Sequence, residues 1–139
     1  MPYNVLIVDD SATMRALIRK ILAISGFNLG QCFEGANGRE GLAILEQHWV
    51  DLVLSDIHMP EMDGSAFITA LKGHPLWKTI PVVVVSTESR EEVLAPFRRL
   101  GVAGYIKKPF KPETIRRQLS TLLGEVGTPD AGELEGCDF

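Results

Sequence analysis

Four consecutive valines, Val82–Val85, constrain this chain more than any other stretch. β-Branched side chains are stiff about χ1 and favour extended backbone. Pro81 opens the run and Ser86-Thr87 closes it, so the sequence predicts a short central strand. Val5–Val8 is a second continuous apolar run, and a run without polar alternation suits a strand buried on both faces. Leu52–Leu54 is a third, with a weaker strand at residues 28–34 and a fifth strand at Val102–Ile106.

Between these runs the apolar period lengthens to that of a helix. Met14, Leu17, Ile18, Ile21 and Leu22 follow a cap at Ser11 or Thr13, and Ser25-Gly26 ends that helix. Leu42 and Leu45 follow the turn Gly35–Gly38. Phe67, Ile68 and Leu71 mark a third helix, and Asp63 before it is a turn or cap residue. Residues 89–100 carry Val93, Leu94, Phe97 and Leu100 on one face, and Pro96 should shorten or kink that helix. Ile115, Leu119 and Leu122 give the last. Strands alternating with helices through short loops predict an α/β fold, a parallel sheet covered on both faces with right-handed crossovers.

At 139 residues the chain makes one ordinary domain. Its net charge of −4 is uneven: Glu125, Asp130, Glu133, Glu135 and Asp138 all lie in residues 124–139, which hold no base, leaving residues 1–123 at about +1. With its glycines and Pro129, that segment reads as an acidic, disordered tail outside a domain of residues 1–123. The apolar runs are too short to span a bilayer, and no basic segment precedes the first, so it is a strand and not a signal peptide. Cys32 and Cys137 form no C-x-x-C pair and suit a reducing cytoplasm. No G-x-G-x-x-G follows the first strand, so dinucleotide binding is excluded, and the histidines lack metalloprotease spacing. His48, His74, Trp49 and Trp77 are assigned to structure.

The chemistry gathers at the strand ends. In an open α/β sheet these all meet one edge, where such folds build their sites. Asp9-Asp10 ends the first strand, Asp56 the third, Ser86-Thr87 the fourth, and Lys108-Pro109 the fifth. Singly, each is a cap or a solvated charge. Together, clustered carboxylates repel and call for a hard cation such as Mg²⁺, while a lysine and a hydroxyl suit phosphoryl oxygens. One aspartate would attack phosphorus, with the lysine and metal neutralising the developing charge.

V-D-D-S-A-T-M-R, S-D-I-H-M-P-E-M-D-G, P-V-V-V-V-S-T-E and G-Y-I-K-K-P-F occur in this order. Over roughly residues 3–123 the chain resembles the receiver domain of bacterial response regulators, of the single-domain CheY-like type. The resemblance implies a flavodoxin-like (βα)5 three-layer sandwich with strand order 2-1-3-4-5. It implies Asp56 as phosphoacceptor and Asp9, Asp10, Asp56 and the His58 backbone carbonyl as ligands of Mg²⁺, with Mn²⁺ as a substitute. It implies Lys108 as the phosphate-pairing lysine before a cis proline bond, Ser86 as the switch hydroxyl and Tyr105 as the switch aromatic.

Thr87 stands where the family usually has Ala or Gly, and its bulk narrows access. His58 and Glu88, each two residues past a site residue, are expected to tune phosphoryl lifetime. The implied donor is a sensor histidine kinase or phosphotransfer protein, acting on a phosphoacceptor switch and not a turnover enzyme. Arg98, Arg99, Lys107, Lys108, Lys111, Arg116 and Arg117 map to the last two helices and fifth strand, the family's usual partner and dimerisation face. A basic face suggests an acidic protein target, and the acidic tail would compete weakly for it. Nucleic acid and membrane are not expected partners. A non-phosphorylated pseudo-receiver would need a lost acid or lysine, and all are present. An aspartyl-phosphate phosphohydrolase would need D-x-D, which is absent.

Overall fold

Val5 and Ile7 turn to one face of β1 (Tyr3–Val8), and Leu6 and Val8 to the other; none is exposed to solvent. The same alternation continues through β3 (Leu52–Ser55) and β4 (Val82–Ser86). This is why their sequences read as unbroken apolar runs. The computed structural model describes residues 2–123, so the predicted tail lies outside the described residues.

On one face, Ile18 and Leu22 of α1 (Ala12–Ile24) and Ile115 and Leu119 of α5 (Pro112–Leu123) cover Val5, Ile7, Leu54, Val83 and Val85. On the other, Leu45 of α2 (Gly38–Gln47), Phe67, Ile68 and Leu71 of α3 (Gly64–Lys72), and Leu94 and Phe97 of α4 (Glu91–Arg99) cover Leu6, Val8, Val53, Val82 and Val84. Burying each such side chain contributes about 1.5–3 kcal/mol against the entropy of ordering it. With β2 (Leu29–Gly35) and β5 (Gly104–Lys107), the sheet has the order β2-β1-β3-β4-β5, every pair parallel. The connections reverse direction between β1 and β3, which opens a crevice at the C-terminal ends of those strands.

The helix starts follow their caps. Ser11 Oγ accepts from the Met14 N–H at 3.1 Å, Asn37 Oδ1 from Glu40 at 2.9 Å, and Asp63 Oδ1 from Ala66 at 2.9 Å.

Three details differ from the sequence reading. Leu17 is 44% exposed, because the stripe that meets the sheet runs through Met14, Ile18, Ile21 and Leu22. α4 is shorter than residues 89–100. It starts only at Glu91, after Arg90, and continues three residues past Pro96, the Leu100 N–H donating to the Pro96 carbonyl at 3.0 Å. The proline, which has no N–H for the carbonyl one turn back, therefore does not end it. β5 starts at Gly104 and not Val102, because Gly101 (φ +85°) and Val102 donate to the Arg98 and Phe97 carbonyls and finish α4.

Candidate functional site

Pairing continues one residue past β1 and β3. The Asp9 N–H donates to the Gly35 carbonyl at 3.0 Å, and the Asp56 N–H to Val8 at 2.9 Å. The sheet itself therefore sets Asp56 beside the end of β1. One carboxylate oxygen from each of Asp9, Asp10 and Asp56 lies within 4.8 Å of the others. Lys108 follows β5, its N–H bonded to the Ser86 carbonyl at 2.8 Å. Its Nζ reaches Asp9 Oδ2 at 2.9 Å and Asp56 Oδ2 at 3.4 Å. Lys108–Pro109 is cis.

Each acid is held. Asp9 is buried, and its Oδ1 accepts from the Ser11 N–H at 2.9 Å. Arg15 Nη1 donates to the Asp9 carbonyl at 2.6 Å while Arg15 Nε bonds Glu34 at 3.0 Å. Asp56 Oδ1 accepts from its neighbour's Ile57 N–H at 2.7 Å. Burial pushes the Asp56 carboxyl above its ordinary value, against the Ile57 N–H and the Lys108 charge, and the Asp9 charge adds to the rise. One ammonium faces three carboxylates, so the cluster keeps an excess of negative charge on an all-oxygen donor set. That chemistry fits a hard divalent cation.

The loop after β4 forms the other wall. Ser86 is buried and its Oγ accepts from the Glu88 N–H at 3.2 Å, whereas Thr87 is exposed. The Tyr105 hydroxyl lies between two carbonyls, Ser86 at 2.9 Å and Glu88. The ring is thus tied to this loop. Burial, then the Glu88 charge, raises the Tyr105 phenol, so it stays a donor.

Glu88 is gripped by Arg90 through Nε at 2.8 Å and Nη2 at 3.0 Å, and by the Ser89 and Arg90 backbone N–H groups. Those Arg90 bonds hold its carboxyl far below the usual range. His58 Nε2 sits 3.5 Å from Glu88 Oε1, so the loop after β3 touches the loop after β4 across the crevice. The carbonyl of His58 belongs to that first loop.

The basic residues are less unified than the sequence suggests. Arg98, Arg99, Lys107 and Lys111 are exposed, but Arg98 is forked onto Glu91 of the same helix. Arg116 Nε lies 3.3 Å from where a Gly26 Cβ would sit, so Arg116 leans over the end of α1, away from α4. Arg117 is half-buried.

Sequence reasoning missed four supports. Arg15 stands one helical turn past the Ser11 cap, a spacing that would have aimed it back at the strand end. Arg90 is two residues from the acid it grips. Gly64 lies so close to the loop after β3 that a Cβ would stand 2.4 Å from the Asp56 carbonyl. Asn37, capping α2, also donates to Glu61 at 3.4 Å, and Glu61 holds a left-handed φ of 63°.

The family described as Response regulator receiver domain matches residues 5–120. Chemotaxis protein CheY-3 of Vibrio cholerae is 33% identical over 120 residues, covering 86% of this chain and 91% of that one. The chemotaxis response regulator CheY4 of Vibrio cholerae superposes with a TM-score of 0.79 at 31% identity, covering 88% of this chain and 99% of that one. The CheX-CheY-BeF3-Mg+2 complex of Borrelia burgdorferi contains a chain with a TM-score of 0.78 at 27% identity, covering 88% of this chain and 90% of that one.

Proposed function

The chain belongs to the response regulator receiver domain family, in its CheY-like form, and from that premise we propose that Asp56 accepts a phosphoryl group from a histidine kinase or phosphotransfer protein. The observation that carries this is the Lys108 ammonium bridging Asp9 and Asp56 at the strand ends, with Asp10 beside them. Asp56 attacks the phosphorus of a phosphohistidine. An O–P bond forms, the N–P bond breaks, and the imidazole leaves with the electron pair. Asp9, Asp10, Asp56 and the His58 carbonyl would hold Mg²⁺, or Mn²⁺ in its place, which when bound neutralises charge on the phosphoryl oxygens. Support for this comes from the donor set, and from the relative studied with Mg²⁺ and BeF3.

Lys108 then turns from the two carboxylates toward the new phosphoryl oxygens, and the Ser86 hydroxyl donates to them. Because Ser86 Oγ now accepts from the Glu88 N–H, that movement redraws the β4–α4 loop to which Tyr105 is tied. The readout is binding of a protein target, or of a second copy, at α4, β5 and α5 in the cytoplasm. His58 and Glu88, joined across the crevice, set how long the acyl phosphate lasts.

Intact-mass spectrometry after incubation with acetyl phosphate tests the reading. A gain of one phosphoryl group that needs both Mg²⁺ and Asp56, and is absent in Asp56→Asn, is expected. No gain from acetyl phosphate or from a phosphorylated kinase would sink it.

A further inference from the structure

At the opposite edge of the sheet, a groove of about 360 Å³ opens between the starts of β3 and β4. Trp49, Val50, Leu76, Trp77 and Ile80 give it an apolar lining. Trp49 and Leu76 are each 76% exposed. Large apolar side chains so open to water, side by side on one groove, mark a surface built to be covered.

The walls are fixed in place. Trp49 Nε1 donates to Asp51 Oδ1 at 2.8 Å. The Leu76 N–H donates to His74 Nδ1 at 3.1 Å, and the His74 ring stacks on Trp77 with centroids 3.8 Å apart. Holding apolar rings at the surface in this way lowers the ordering cost of whatever packs against them.

We propose that the occupant is the chain's own C-terminal segment, residues 124–139. The described chain ends at Leu123, whose carbonyl accepts from the Tyr3 hydroxyl at 3.5 Å. Tyr3 begins β1, on the same sheet edge as the groove. The next residue, Asn4, donates through its side chain to the Trp49 carbonyl at 3.1 Å and through its backbone to Asp51 at 2.8 Å. β1 neighbours β3 and β3 neighbours β4, and the groove lies on the other face of the sheet from α5, so the path from that exit round the sheet's end is on the order of 15–20 Å, at roughly 4.8 Å per strand and 10 Å per layer. Sixteen further residues, at about 3.3 Å each when extended, reach well beyond that distance.

The segment also has what the groove lacks. Its large apolar residues are few, Val126, Leu134 and Phe139, spread among glycines and acids that supply no core of their own. Leu134 and Phe139 are five residues apart with Gly136 between them, and a turn at that glycine would let both enter one groove. Tethering makes weak contacts effective, because a short linker holds the segment at an effective concentration on the order of 1 mM. The acidic residues then lie along the N-terminal edge of the sheet and not on the basic residues of α4 and α5. This seat is independent of the phosphoryl chemistry at the far edge.

The chain's two tryptophans, Trp49 and Trp77, both line the groove and report on it. In the full chain carrying Cys32→Ser, Cys137 is the remaining thiol and takes a nitroxide, which quenches indole emission only at close range. Emission about twofold below that of the same chain with a diamagnetic label is expected, since a site of about 1 mM intrinsic affinity is half filled at that effective concentration. The quenching should be unchanged on dilution, and lost in Leu134→Ser/Phe139→Ser and in the surface variant Leu76→Ser. Equal emission from the two labels would overturn the proposal. So would quenching that survives Leu134→Ser/Phe139→Ser, or that falls on dilution and so belongs to a second copy.

Discussion

The ammonium of Lys108 lies 2.9 Å from the carboxylate of Asp9, with side chains only 12% and 3% exposed. Removing one partner of a buried ion pair leaves the other charge uncompensated and typically costs about 3–5 kcal/mol. Lys108→Ala should therefore lose about 3 kcal/mol in urea titrations with chelator present. Adding Asp9→Asn should restore part of it, because the stranded charge goes too. Additive losses in this double-mutant cycle would show that the pair is not coupled.

Mg²⁺ should stabilise the fold by mass action, about 2.7 kcal/mol at 100 times its dissociation constant. Thermal melts with and without the ion check this. Asp10→Asn should cut the gain sharply while changing the ion-free melt little, because Asp10 is exposed. An equal Mg²⁺ shift in Asp10→Asn would remove that residue from the ligand set.

Asp56 carries a pH signature with a definite sign. Its carboxyl is raised by burial, so the folded chain binds that proton more tightly than the unfolded chain. This contribution to stability is present below the ordinary carboxylate range and is lost as pH rises through the raised folded value. Asp56→Asn should thus be more stable than the parent at pH 7 and no more stable at pH 3.5. Urea midpoints at the two pH values decide it, the difference between variants cancelling the titration of other groups. A constant difference at both would contradict the burial argument.

The contact between His58 and Glu88 should set the rate of phosphoryl loss. Glu88 stays ionised because Arg90 holds it, so near neutrality it contributes no pH dependence of its own. His58→Ala and Glu88→Ala should each change the dephosphorylation rate of the acyl phosphate, by up to about tenfold if the pair positions the attacking water. Arg90→Ala should move it in the same direction as Glu88→Ala. Unchanged rates in all three would make the contact incidental.

Much of this was legible because a doubly wound sheet writes itself into sequence. Strands buried on both faces appear as apolar runs, and each strand end names its residue at the site. Asp9, Asp10, Asp56 and Lys108 could be read in this way, because strand order alone brings them together. Arg15 carried a signal only in its spacing from the Ser11 cap, and Arg90 and Asn37 none of that kind, since their carboxylate partners are reached by side-chain direction. Leu17 was misassigned because Leu17 and Ile18 are adjacent and only the helix's rotation on the sheet decides which is buried. The same rotation sets Arg116 over Gly26, apart from the exposed Arg98, Arg99, Lys107 and Lys111.

Two glycines separate stability from function. Gly101 needs its φ of +85°, but nothing stands within 4 Å of the space a Cβ would take. Gly101→Ala should cost about 1 kcal/mol from left-handed backbone alone and leave phosphorylation unchanged. Gly64 has ordinary backbone, yet a Cβ there would meet the Asp56 carbonyl at 2.4 Å and the Ile57 Cα at 2.9 Å. Neither is a flexible side-chain tip, so the backbone that carries the acceptor has to move. Gly64→Ala should lose about 1–3 kcal/mol as overpacking does. It should also slow acetyl phosphate labelling, because Gly64 donates at 2.8 Å to the Ile57 carbonyl, and the Ile57 N–H holds Asp56 Oδ1. Denaturant titration gives the stability of both variants and time-resolved intact mass gives their labelling rates. If the two variants label at the same rate as the parent, the close approach at Gly64 matters for packing and not for the acceptor.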